Sequence, residues 1–264
     1  VQTCALPIFN TLNFGGRRED GTTPYRLGDQ DLSLFFGQSS FSQYVVTRAS
    51  NAVVVDPEVD LTLLGPLGCG IQTGSGTVLN RLKPVVGESL VVFGCGAVGL
   101  SAIMAAKLTG CSHIIAVDIH ASRLALAGEL GATHQINGKE QDAVAVIKQI
   151  TGKGAHYAVE TTGVSAIVLQ AVHAVKPLGT VAIVGFTGDI TLNVQNDLMA
   201  EGKSLVGVIE GDAVPALFIP LLVQLYKQGK FPIDKLIARY PLADINQAFA
   251  DSASGKVIKP VVVM

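Results

Sequence analysis

Three glycines and one aspartate carry the clearest chemistry in this sequence. Leu90-Val-Val-Phe-Gly94-Cys-Gly96-Ala97-Val98-Gly99 runs an apolar strand into glycines spaced G-x-G-x-x-G. A helical pattern follows, and Ile114-Ile-Ala-Val-Asp118 ends a second strand in an acid. Each part has a physical task in holding a dinucleotide. Gly94 permits a tight turn, Gly96 lets backbone approach a pyrophosphate, and Gly99 lets the helix lie close on the strand. The pyrophosphate would rest on the helix N-terminus, where unpaired N–H groups and the helix dipole favour an anion. Asp118, about twenty residues past the turn, would accept hydrogen bonds from both adenosine-ribose hydroxyls, and its charge would repel a 2′-phosphate. NAD is therefore expected over NADP.

Positioning those residues takes an alternation of strands and helices. Strands are expected at 89–93, 113–117, 156–160, 180–185 and 204–208, and helices at about 97–109, 121–130, 142–150 and 165–175. Repeated βαβ units specify an α/β fold, a doubly wound parallel sheet with helices on both faces. Gly131 and Gly179 fall where helix ends or turns need them. Upstream, residues 9–33 read as loop, 41–46 and 52–55 as short strands, and Gly68-Cys69-Gly70-Ile-Gln-Thr73-Gly74 as the entry to a small-residue helix reaching about Leu82. After Gly211 the texture changes to two amphipathic helices, at 213–228 and 242–250, and a short strand from Val257.

Composition excludes several classes. Among 264 residues, 19 basic and 21 acidic side chains nearly balance, with no basic stripe for nucleic acid. Cys4, Cys69, Cys95 and Cys111 show no paired spacing, which fits a reducing, cytoplasmic setting rather than a disulfide framework. The start lacks the charged region of a signal peptide. Residues 89–106 hold no charge and have the length of a membrane span. Three glycines divide that run, however, and a buried parallel strand with its packed helix reads the same way, so no membrane is expected.

Four stretches together resemble a known family. They are Phe35-Phe36-Gly-Gln-Ser-Ser-Phe41-Ser-Gln-Tyr44, Leu64-Gly-Pro-Leu-Gly-Cys69-Gly-Ile-Gln-Thr73-Gly, the glycine pattern with Asp118, and Val208-Ile-Glu-Gly211. They resemble the medium-chain, zinc-type alcohol dehydrogenases, and within them the bacterial aryl-alcohol (benzyl-alcohol) group, over roughly residues 9–264. The resemblance implies a mostly β, GroES-like catalytic domain represented by residues 1–70, a Rossmann domain over 71–211, and a return to the catalytic domain over 212–264. It also implies NAD and Zn²⁺ as cofactors, an alcohol or aldehyde as substrate, and a homodimer or homotetramer formed near strand 204–208. Residue by residue, Cys69 resembles a ligand of the catalytic zinc; on the residues alone, a cysteine between glycines is more often a small core side chain, and the resemblance reverses that weighting. Thr73 and Val98 resemble nicotinamide contacts, and Asp118, Ile119 and Arg123 adenosine-ribose contacts. Thr162, Val184 and Phe186 match positions lining the nicotinamide half. Lys259 stands where the family often has an arginine on the pyrophosphate; it keeps the charge without the bidentate fork. Phe35 and Phe36 match substrate-pocket walls suited to a flat aryl group, with ordinary core packing as the alternative.

The sequence also departs from that pattern. The family's other two catalytic zinc ligands, its structural-zinc cysteines and the start of its proton relay all belong before residue 9. His113, His120, His134, His156 and His173 have no ligand-like spacing, His134 being read as part of a turn. Residues 1–8 match the translation of a sequencing-library adapter and are read as an assembly artefact, so Cys4 is not counted as a ligand. One zinc ligand of three implies a chain without catalytic competence alone. Three other readings stand beside this one. Tyr226 and Lys230 have the spacing of a short-chain dehydrogenase pair but lie outside the βα repeat. A zinc-free quinone-reductase type would have no use for the Cys69 thiolate. A non-catalytic module that binds NAD and dimerises is the third.

Overall fold

The structure, a computed structural model, describes residues 15–18, 20–34, 44–45 and 47–264. Six parallel strands organise it: β3 (Ser89–Phe93), β4 (His113–Asp118), β5 (His134–Asn137), β6 (Ala155–Glu160), β7 (Val175–Ile183) and β8 (Ser204–Gly207). A small antiparallel hairpin, β1 (Arg26–Leu27) with β2 (Gln30–Asp31), precedes them. The sheet order is β5-β4-β3-β6-β7-β8. Chain direction across the sheet therefore reverses between β3 and β6, and the carboxyl ends of those two strands frame the crevice where α/β sheets of this winding hold their ligands.

Alternation along β3 divides the core. Leu90 and Val92 face one layer, with α1 (Gly70–Gly76), α2 (Ala97–Thr109), α3 (Ala121–Leu130) and α6 (Pro215–Lys227). Val91 and Phe93 face the other, with α4 (Ala143–Thr151) and α5 (Ser165–Ala174). All five β3 residues are buried, as expected of a central parallel strand covered on both faces. Helix α2 is buried continuously from Gly99 to Ala106. A helix packed between layers needs no polar face, which is why residues 89–106 lack charge. No helix among the described residues is long and apolar enough to cross a membrane.

Outside the main sheet, β9 (Ile237–Pro241) and β10 (Lys259–Val263) pair in parallel, and α7 (Ile245–Ala253) packs beside them. This C-terminal unit is stitched to the 56–62 loop. Arg239 Nη2 lies 2.8 Å from Asp60 Oδ2, and Lys227 Nζ, at the end of α6, reaches both Asp56 and Glu58 of the same loop.

The expected strands and helices of the repeat are present within a few residues, and several differences have physical causes. His134 opens a strand rather than a turn: β5 pairs with β4 from Ile115↔His134 to Asp118↔Asn137. Its sequence, His-Gln-Ile-Asn, has one apolar residue, so hydrophobic pattern alone could not reveal it. Residues 52–55 form no strand; Val54 is 92% exposed, and no described strand pairs with it. Of the expected strand at 41–46, residues 41–43 and 46 lie outside the described residues, while Tyr44 and Val45 are exposed and in no strand. The helix from Gly70 widens after Gly76 into a π-helical turn, Thr77–Leu82, and Lys83 ends it in the left-handed region.

Candidate active site

The glycine turn is built as its spacing predicts. Gly94 takes φ +93°, a conformation open to glycine at no steric cost, and its N–H donates to Val117 O at 2.8 Å. A Cβ on Gly99 would run into the carbonyl of Gly94, whereas one on Gly96 would meet nothing within 4 Å. Gly99 is therefore a close contact between helix and turn, and Gly96 faces free space. Helix α2 starts beside that space with no side chain capping its N-terminus, which leaves its first N–H groups for an anion. Ala97 and Val98 form the first turn there, both half-buried.

Asp118 ends β4 against the same turn. Its Oδ2 accepts the backbone N–H of Cys95 at 2.7 Å, and its Oδ1 accepts those of Ile119 and His120 at 2.7 and 2.9 Å. The aspartate is buried, while the neighbouring Ile119 and His120 are exposed. One turn further, Arg123 lies close enough to Cys95 to act on it electrostatically, and its Nε is buried with no hydrogen-bond partner. A buried guanidinium donor without a partner is costly. An open glycine cradle, an uncapped helix and an orphaned donor beside a strand-end acid fit the adenosine and pyrophosphate portions of a dinucleotide. Cys95 itself is buried, and burial together with the Asp118 charge holds its thiol in the protonated form.

Across the crevice, β6 ends in Glu160, a fully buried carboxylate to which sequence reading gave no role. It accepts the N–H of Thr162 at 2.7 Å, the Thr162 hydroxyl, and the N–H of Gly163. Beside it, Thr161 Oγ1 donates to Phe93 O at 2.8 Å and to Gly94 O at 3.1 Å. Glu160 and Thr161 thus brace the loop after β6 against the glycine turn. The available signal was an acid closing a strand just before Thr-Thr-Gly. Val184 continues this wall, its N–H donating to Glu160 O at 2.9 Å. Phe186 is 94% exposed and covers nothing within the described residues.

The third group surrounds α1. Cys69 is exposed and precedes the helix; Gln72 and Thr73 are buried within it. Glu210, from the loop after β8, accepts Gln72 Nε2–H at 2.9 Å and Thr73 Oγ1–H at 3.3 Å. Its charge also lies close enough to act on Cys69. The Cys69 thiol is pushed above its usual pKa, first by burial of the sulfur's surroundings and then by the Glu210 charge, with Lys259 pulling the other way. Lys259 opens β10, so the C-terminal return brings its ammonium near Cys69. No three His, Cys, Asp or Glu side chains gather into a metal site among the described residues. The described residues do not make a zinc centre by themselves; Cys69 is the candidate ligand they offer. Phe35 and Phe36 lie outside the described residues.

A doubly wound sheet with this glycine turn, uncapped helix and strand-end acid defines a dinucleotide-dependent dehydrogenase domain. Residues 97–227 match the sequence family described as "Zinc-binding dehydrogenase". Over 260 residues the chain is 43% identical to geraniol dehydrogenase of Castellaniella defragrans, covering 96% of this chain and 69% of that protein. The crystal structure of benzyl alcohol dehydrogenase from Acinetobacter calcoaceticus superposes with a TM-score of 0.89 at 48% identity, over 96% of this chain and 70% of that one. An alcohol dehydrogenase zinc-binding domain protein from Burkholderia ambifaria gives 0.91 at 50% identity, over 97% and 70%. The chain belongs to the zinc-binding, medium-chain alcohol dehydrogenase family, a family of enzymes that use NAD and Zn²⁺.

Proposed function

We propose that this chain is the NAD-binding and substrate-adjacent portion of a zinc-dependent alcohol dehydrogenase that oxidises a primary, benzyl-type alcohol to the aldehyde. The observation that carries the proposal is the carboxyl edge of the sheet at β4 and β3, beside the crevice between β3 and β6. There an open cradle at Gly96, the uncapped helix at Ala97, the Asp118 carboxylate and the orphaned Arg123 donor converge. The likeness to a benzyl alcohol dehydrogenase supports the substrate class.

When bound, NAD would supply the hydride acceptor. This chain's residues do the positioning. Gly94, Gly96 and the first turn of α2 would receive the pyrophosphate; Asp118, Ile119 and Arg123 would border the adenosine ribose. Thr73 and Val98 would press on the nicotinamide half, with Thr162, Val184 and Phe186 along its other side. Asp118 selects against a 2′-phosphate by like-charge repulsion. Lys259 would place a cation toward the pyrophosphate, and Phe35 and Phe36 would wall an aryl pocket. Cys69 would hold zinc as a thiolate, leaving its other coordination positions to groups beyond the described residues.

In this reading residues 1–70 belong to the catalytic domain, 71–211 to the NAD domain and 212–264 to the catalytic domain again. The protein is cytoplasmic and assembles as a homodimer or homotetramer. The 264-residue chain alone binds cofactor without turning over. The test is NADH formation with benzyl alcohol, by this chain and by a protein of the relatives' full length. The reading expects turnover from the longer protein only. Turnover without added metal after chelation, or none with any primary alcohol, would overturn it. The short-chain alternative has nothing in its favour, since Tyr226 lies near the end of α6 and Lys230 beyond it.

A further inference from the structure

Residues 210–212 hold three consecutive positive φ angles: Glu210 at +50°, Gly211 at +67° and Asp212 at +49°. Glycine adopts this conformation freely, whereas glutamate and aspartate do so against steric resistance. Such strain persists only where surrounding contacts impose it, and it concentrates at functional sites.

At Glu210 the contacts are specific. Its Oε2 accepts from Gln72 Nε2 and Thr73 Oγ1, residues more than 130 positions away in sequence. Gln72 is 2% exposed, its Nε2 also donates to Gly68 O at 3.0 Å, and its Oε1 has no partner. Behind this knot the backbones touch. A Cβ on Gly76 would collide with Gly211 O, and one on Gly211 with Gln72 O, while Asn80 Nδ2 donates to Gly211 O at 3.0 Å. The left-handed turn is thus what aims the Glu210 side chain at α1 while its backbone lies against the same helix.

We propose that Glu210 is a positioning residue for the nicotinamide end of the cofactor site. It fixes the Thr73 hydroxyl and the Cys69–Thr73 turn from the Rossmann side of the crevice. Its own backbone accepts the left-handed conformation because the side chain has two partners on α1 to hold. The inference rests on the proposed placement of NAD, and specifically on Thr73 facing the nicotinamide. The adenosine and pyrophosphate contacts at Gly94–Asp118 belong to separate elements and do not involve Glu210.

The test compares NADH with ADP-ribose, which lacks the nicotinamide, by fluorescence and calorimetric titration of the 264-residue chain. Glu210→Gly is the informative variant, because glycine suits the +50° backbone and the fold should be kept. It is expected to leave the melting temperature unchanged or higher, to hold ADP-ribose affinity within about twofold, and to weaken NADH about fivefold or more. Glu210→Gln retains an oxygen that can accept from Gln72 and Thr73, and should return NADH to within about twofold of the wild type. An unchanged ratio of the two dissociation constants in Glu210→Gly would overturn the inference, as would equal weakening of both ligands. So would a glutamine variant as weak as the glycine variant. Failure of the wild type to bind either ligand would instead overturn the NAD placement on which the inference rests.

Discussion

The Asp118 carboxylate accepts the backbone N–H of Cys95 at 2.7 Å, so the acid ending β4 is bonded to the middle residue of the turn ending β3. One side chain then has two tasks: holding the glycine turn in shape and presenting negative charge at the ribose position. The second oxygen is held in place by the N–H groups of Ile119 and His120, which fixes the orientation of the acceptor.

Replacing Asp118 by glycine removes both tasks. We expect NADH binding to weaken by about tenfold, the scale of one lost charge-assisted hydrogen bond, and the NADH-to-NADPH preference to shrink with it. The ratio of dissociation constants from fluorescence titration checks this. Asp118→Asn, which keeps an oxygen for Cys95, should narrow the same preference with a smaller loss of thermal stability.

Gly99→Ala places a methyl group against the Gly94 carbonyl. Neither a helix nor a central strand can yield easily, so the expected cost is about 1–3 kcal/mol, typical of overpacking. Thermal unfolding should show the loss, accompanied by weaker NADH binding because the pyrophosphate turn is displaced. Gly96→Ala meets no protein atom within 4 Å. It should retain stability while losing cofactor, and the contrast between the two variants separates packing from ligand contact.

Cys69→Ala, made in a protein of the relatives' full length, is expected to abolish alcohol oxidation and remove one zinc per chain by mass spectrometry. NADH affinity should change little, because the substitution leaves the Asp118 bond to the glycine turn and the Glu210 bonds to Gln72 and Thr73 in place. Retained stoichiometric zinc would contradict the ligand assignment.

Acidification should destabilise the fold through His156. Its Nδ1 takes the Ser89 N–H at 3.2 Å and faces Ser89 Oγ at 2.8 Å. Burial, with repulsion from Lys176, lowers its pKa below the usual histidine value, against a smaller opposing pull from Glu88. A lowered histidine pKa means that the unfolded chain binds more protons between the two values. Stability is therefore full above the unfolded pKa, near 6.5, and falls as pH drops toward the folded one. Melting temperatures between pH 7.5 and 5 should decline with a slope that His156→Gln reduces. An identical slope in the variant would remove His156 from the account.

Much of this was legible in the sequence, for reasons particular residues make plain. Gly94, Gly96, Gly99 and Asp118 could be placed because their spacing is imposed by a turn, a helix start and the length of one βα unit. The buried strands announced themselves as apolar runs. β5 did not, because its burial comes through Ile136 alone, and neither did β9, which ends in Pro241. Glu160 and Glu210 escaped for another reason. Glu160 bonds the turn that follows it, whose place at the crevice the sheet sets, whereas Glu210 acts on Gln72 and Thr73, brought to it across the molecule. Nothing in the local spelling of Val208-Ile-Glu-Gly211 states that the glutamate will sit at positive φ and reach back to α1.

A dinucleotide site whose acid selects NAD is tested by titrating the 264-residue chain with NADH and NADPH side by side. The account predicts saturable NADH binding, at least about tenfold tighter than NADPH, with the preference carried by the Asp118 charge. Equal affinity for the two cofactors, or no saturable binding of either, would contradict it.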